Sequence, residues 1–132
     1  MRRIAMFASV GLVLLAGAAG GAESMKPGQA DYLRYCASCH GDEGKGDGIV
    51  AGFMTPKPTD LTQLTKAHGG TYPLVAVRES IDGRKQIQAH GSSEMPVWGE
   101  VFSTEKAMAQ HDAHVRGKVQ GIASFVGTLQ AK

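Results

Sequence analysis

The chain has 132 residues, with 14 lysines and arginines against 12 aspartates and glutamates, a formal net charge of +2. That length suits one small domain. The near-balanced charge holds no basic stripe of the kind that nucleic-acid binding requires.

The chain opens on the basic Met1-Arg2-Arg3, continues through the mostly apolar stretch Ile4 to Ala19, and reaches the small residues Gly20-Gly21-Ala22. This order predicts a secretory signal peptide over residues 1–22, cut after Ala22, with residues 23–132 as the single mature domain. The apolar stretch is short for a membrane span, which needs roughly 20 residues, so no span is expected in the mature chain; an uncleaved anchor is the alternative. No cysteine lies near the cut, which excludes a lipoprotein anchor there. The expected location is the periplasm. Loss of Arg2 and Arg3 brings the formal charge of the mature chain to 0.

A first helix is predicted from Gly28 to about Ala37, with Tyr32, Leu33 and Tyr35 available for packing. It runs into Cys36-Ala37-Ser38-Cys39-His40, which holds both cysteines of the chain. Cys-x-x-Cys-His order is the attachment pattern of c-type haem. Two thiols at this spacing add across the two vinyl groups of one porphyrin, and the adjoining imidazole then lies under the iron as the proximal ligand. The motif occurs once, so one covalent haem c is expected. Two other readings stand beside it. A disulfide or thioredoxin-like redox pair would be expected near a βαβ pattern, and the sequence holds no strand-rich segment. Zinc would need a second ligand pair at suitable spacing.

From Gly41 to Gly70 the chain is rich in Gly, Pro, Asp and Thr, and reads as a long loop. Such a loop is uncommon in a compact domain unless it has a task, and wrapping a haem is one. The embedded Ile49, Val50, Phe53, Met54, Leu61 and Leu64 argue against a disordered segment. Thr71 reads as an N-cap, Tyr72 to Asp82 as a helix carrying Leu74, Val75, Val77 and Ile81, and Gly83 as its stop. A loop with Gly91-Ser-Ser then leads to Met95-Pro-Val-Trp-Gly99. A last long segment runs from about Ser103 to Gln130. In it Val115, Val119, Ile122, Val126 and Leu129 form one apolar helical stripe. Gly117 and Gly121 lower its helix propensity and leave room for close helix approach.

A six-coordinate haem needs a ligand opposite His40, and methionine and histidine are the main candidates. Met1 and Met6 leave with the signal peptide, Met25 lies at the mature start, Met54 is close behind His40 and Met108 sits in a polar context. Met95 is 55 residues beyond His40, far enough to return across the opposite haem face, and Pro96 holds it in extended geometry. Met95 is therefore the expected ligand, with His90 its rival and core filling the plain alternative. His68, His111 and His114 read as surface histidines, and Glu94 as a solvated carboxylate or turn cap. Trp98 either packs on the haem edge or bonds a propionate through its indole N–H, or is ordinary core.

With Cys36-Ala-Ser-Cys-His40 and Met95-Pro-Val-Trp-Gly99 in place, the mature chain resembles the class I c-type cytochromes. The run Gly41-Asp-Glu-Gly-Lys-Gly-Asp-Gly48, Pro56-Lys-Pro58 and Asp60-Leu-Thr62 looks like their bacterial branch. The resemblance implies an all-α cytochrome c fold, with three to five helices wrapped around one covalent haem. It implies that the N- and C-terminal helices cross, with Gly28 and Tyr32 meeting Ile122 and Phe125. It also implies that a carbonyl of the proline region accepts the N–H of the His40 imidazole, with Pro56 the expected residue and Pro58 the alternative. The function implied is electron transfer without catalysis, through transient redox partners. A haem subunit of a dehydrogenase or oxidase, and a haem sensor with a displaceable sixth ligand, are the alternatives.

Overall fold

The computed structural model describes residues 24–84, 95–104 and 111–132. The expected signal segment, His90, Glu94 and Met108 lie outside the described residues. Among those residues there are six α-helices and no strand: α1 Gln29–Tyr35, α2 Ala37–His40, α3 Leu64–Ala67, α4 Leu74–Asp82, α5 Trp98–Ser103 and α6 His111–Thr128. Two 3-10 turns, Ala51–Phe53 and Leu61–Gln63, punctuate the long connection between α2 and α3. The all-α expectation holds, and two of the six helices are single turns.

The predicted first helix is broken at Cys36, which ends α1 and starts α2. Asp31 in the first turn and Arg34 in the last turn of α1 complement its dipole. Tyr32 and Cys36 lie four residues apart on one face and are buried. Leu33 falls on the neighbouring face and is exposed, so it does not join the packing expected of it.

The connection from Gly41 is held by backbone hydrogen bonds and by some of its apolar side chains. Gly46 N–H donates to His40 O at 2.8 Å, Gly48 N–H to Cys39 O at 3.1 Å and Leu61 N–H to Gly44 O at 2.7 Å. Leu61 and Leu64 pack against the core. Ile49 and Phe53 do not; they are 85% and 91% exposed. The stretch read as loop also contains α3, which follows the 3-10 turn Leu61–Gln63 capped by Asp60, whose carboxylate accepts the Thr62 N–H at 2.9 Å.

Helix α4 begins two residues later than the sequence predicts: Pro73 is its N-cap, not Thr71, and Gly83 closes it, in the left-handed conformation. The last segment is two helices. Ser103 ends α5 instead of opening the terminal helix.

Helix α6 is the spine on which α1, α4 and α5 pack. Its predicted stripe is the core: Val115, Val119, Ile122 and Val126 are each at most 3% exposed, and Leu129 packs beside them. Full burial of Phe102, Val115 or Ile122 contributes about 1.5–3 kcal/mol per side chain. Where α1 crosses α6, Gly28 lies against Gly121 and the Tyr32 and Phe125 ring centroids stand 5.1 Å apart. Gly28 has a positive φ of 78°, and a Cβ there would overlap the Gly121 carbonyl. Gly117 faces open space and plays no part in the approach expected of it. Lys118 ties the same crossing, its ammonium 3.3 Å from Asp31 Oδ1 and 4.8 Å from the Tyr35 ring centre. No helix among the described residues is long and apolar enough to cross a membrane.

Candidate functional site

The single turn α2 sets Cys36, Cys39 and His40 side by side. Both cysteines are free thiols, Cys36 buried and Cys39 half-buried, so no disulfide joins them. Burial, with a contribution from the Asp31 carboxylate, pushes the Cys36 thiol up to about 12, and it stays protonated at neutral pH. The backbone of this turn is packed hard against Gly48. A Cβ at that position would collide with the carbonyls of Ala37 and Ser38, which explains a glycine at the end of Gly41-Asp-Glu-Gly-Lys-Gly-Asp-Gly48.

His40 Nδ1 lies 3.1 Å from the carbonyl oxygen of Thr59. A carbonyl only accepts, so Nδ1 carries the proton and Nε2 keeps its lone pair. Burial holds the imidazole below its ordinary pKa, opposed in part by the bond to Thr59. The ring is thereby kept in the neutral form that ligates metals. The carbonyl comes from the proline region, but the choice of residue is corrected: the acceptor is Thr59, next to Pro58, and neither Pro56 nor Pro58. The Pro58 carbonyl is turned to Gly46, where an added Cβ would overlap it. Pro56 is exposed and does not line the cleft that His40 faces.

That cleft has a volume of about 260 Å³. Cys36, His40 and Thr59 line it together with Met95 from the segment before α5. Its walls are apolar, from Leu61 and Leu64, from Val77 and Ile81 of α4, and from Ile122 and Val126 of α6. Tyr32 stands behind His40 and donates its O–H to Gly41 O at 2.6 Å, fixing the chain just past the imidazole. Cys36, His40 and Met95, three of the residues singled out in the sequence, thus share one cleft, and Cys39 adjoins it on α2.

Trp98 is placed elsewhere. Its ring stacks on Phe102 at 5.7 Å and tilts against Tyr35 at 5.5 Å, and it does not line the cleft. These contacts are those of the core-packing alternative. Met54 is half-buried away from the cleft and Met25 is exposed. His68, read as a surface residue, is exposed but borders the cleft, its Nδ1 donating to Leu64 O at 2.8 Å. The participation of His68 and Thr59 was not read from the sequence. For Thr59 the participating atom is a backbone carbonyl, which leaves no side-chain signature.

The donor set suits a flat apolar macrocycle with a central metal. Two free thiols three residues apart are available for attachment, an oriented neutral imidazole is available as a borderline donor and a thioether as a soft one, and the walls are hydrocarbon. Among the described residues no three His, Cys, Asp or Glu side chains gather as a metal site. With no strand among them either, the zinc and thioredoxin-like readings gain nothing from the structure.

Residues 23–110 match the family described as cytochrome C oxidase, cbb3-type, subunit III. The matched region spans the cysteine pair, His40 and Met95 and stops short of α6. No curated protein and no solved structure matches the chain.

Proposed function

The chain belongs to the c-type cytochrome family of cbb3-type oxidase subunit III, and from that premise we propose an electron-transfer protein with one haem c ligated by His40 and Met95. Haem-based electron transfer follows from the family. The observation that carries the ligand assignment is the shared apolar cleft of Cys36, His40 and Met95, with His40 Nδ1 already committed to Thr59.

When bound, the haem supplies a one-electron Fe(III)/Fe(II) couple. Cys36 and Cys39 would hold it through two thioethers. Thr59 orients the His40 ring and raises its basicity through the Nδ1–H bond. Met95 offers a soft thioether that favours the reduced metal and raises the potential relative to a second histidine. The walls of α4 and α6 exclude water, which disfavours the extra charge of the oxidised form.

The basic and then apolar N-terminal segment supports export to the periplasm. The family's description also supports a second reading, a haem-bearing subunit of an oxidase rather than a free carrier. Co-purification with a stable partner would favour the subunit.

The deciding experiment is a proton NMR spectrum of the ferrous holoprotein. A methyl signal displaced far upfield, and lost in Met95→Ala, is the expected result. Its absence from the native protein, together with ready binding of carbon monoxide, would discard His40/Met95 ligation in favour of a sensor with an open sixth position.

A further inference from the structure

Beside the cysteine-bearing turn the surface carries an apolar strip that the core does not explain. Ile49 is 85% exposed, Val50 37% and Phe53 91%. None of the three lines the cleft of His40, so filling that cleft leaves them in solvent. Contiguous exposed apolar surface, especially with a polar rim, marks interaction sites. The strip is also wired to the site. Val50 N–H donates to Ser38 O at 3.0 Å and Gly48 N–H to Cys39 O at 3.1 Å. One hydrogen bond therefore separates the strip from the backbone of the attachment turn.

The charged side chains that line the adjoining groove are all acidic, with Lys45 at its rim. A groove beside Ile49 is lined by Leu33, Asp42, Glu43 and Asp47. Glu43 is neutralised by Lys45 at 2.5 Å, whereas Asp42 and Asp47 form no ion pair among the described residues. A second copy of the chain, docked face to face, would set these carboxylates against their own kind. A partner with cations there would be drawn in.

We infer that Ile49, Val50 and Phe53, rimmed by Asp42 and Asp47, form the docking surface for a redox protein that presents an apolar centre ringed by lysine and arginine. This rests on the electron-transfer reading above. Docking there places the partner over the Cys39 edge of the site. One electron leaves the reduced protein and one is gained by the partner; no bond forms or breaks and no proton moves.

The test uses the ferrous, isotope-labelled holoprotein and two redox-inert paramagnetic probes, the aromatic cation tris(phenanthroline)chromium(III) and the anion hexacyanochromate(III). The cation is expected to broaden the amide signals of residues 47–53 first, and the anion to spare them. Phe53→Ser, and separately the pair Asp42→Asn and Asp47→Asn, should weaken binding of the cation about tenfold, the loss of one anchoring contact. The same variants should slow one-electron oxidation by tris(phenanthroline)cobalt(III) by a similar factor. Val75→Ser, at an exposed apolar site on α4, should leave both unchanged. Broadening centred elsewhere, or no response to Phe53→Ser, would overturn the surface. So would a dimer in sedimentation that Phe53→Ser disperses. Haem absorbance of each sample separates the two readings: a chain that holds no haem fails the electron-transfer reading, while a loaded chain that binds the cation elsewhere fails only this one.

Discussion

Gly28, in the left-handed conformation, stands directly on the carbonyl of Gly121, so the first and last helices touch backbone to backbone. A methyl group there has nowhere to go. Gly28→Ala combines backbone strain with overpacking and should cost about 2–4 kcal/mol of stability, read by guanidinium unfolding of the holoprotein. Gly117, one turn earlier on α6, faces open space. Gly117→Ala should change stability in the opposite direction, by about 0.5–1 kcal/mol, through helix propensity alone.

Met95 can be judged by potential as well as by spectrum. Axial ligands set haem potentials over about 0.8 V. Met95→Ala should lower the midpoint by on the order of a tenth of that range or more. An unchanged midpoint in a redox titration would remove Met95 from the iron.

Tyr72 supplies a pH signature. Its O–H donates to Ala123 O at 2.6 Å, and burial pushes its pKa up to about 12. The unfolded chain releases this proton near pH 10. The folded chain therefore binds more protons between about 10 and 12, and stability must fall as pH rises through that window. Below it the contribution is complete. Tyr72→Phe should lose about 1 kcal/mol at neutral pH and show a shallower alkaline decline. Tyr32, also raised by burial, keeps part of the slope in that variant.

Covalent attachment is checked chemically. Acid and organic-solvent extraction should leave the haem on the native protein, and a thiol reagent should find no free cysteine after denaturation. Cys36→Ala combined with Cys39→Ala should lose the haem in the same extraction. Recovery of two free thiols from the coloured native protein would refute thioether linkage.

The parts of this molecule that were readable from sequence share a reason. The stripe from Val115 to Val126 repeats at helical spacing, so its burial is visible in the letters. Cys36 to His40 compresses an attachment chemistry into five residues. The place of Met95 in the cleft of His40 was reachable by distance along the chain and by Pro96. What escaped was decided by tertiary placement. The partner of His40 is the backbone oxygen of Thr59, and any residue type could have supplied it. Trp98 fits either a cofactor edge or an aromatic cluster, and its contacts with Tyr35 and Phe102 come from tertiary placement. Ile49 and Phe53 are apolar like core residues, and nothing local marks them as exposed.

The contact between Gly28 and Gly121 joins residues 93 positions apart. Gln130 extends the same pattern: its side chain accepts from Thr65 N–H at 2.8 Å and donates to Leu61 O at 2.7 Å. Helical domains usually fold fast because their contacts are local, and rates fall as mean sequence separation grows. Here the bundle closes only when its two ends have found each other. A growing chain that has not yet reached α6 lacks the surface against which Gly28 and Tyr32 pack. Folding should accordingly run at the pace of mixed α/β domains rather than of simple helical bundles.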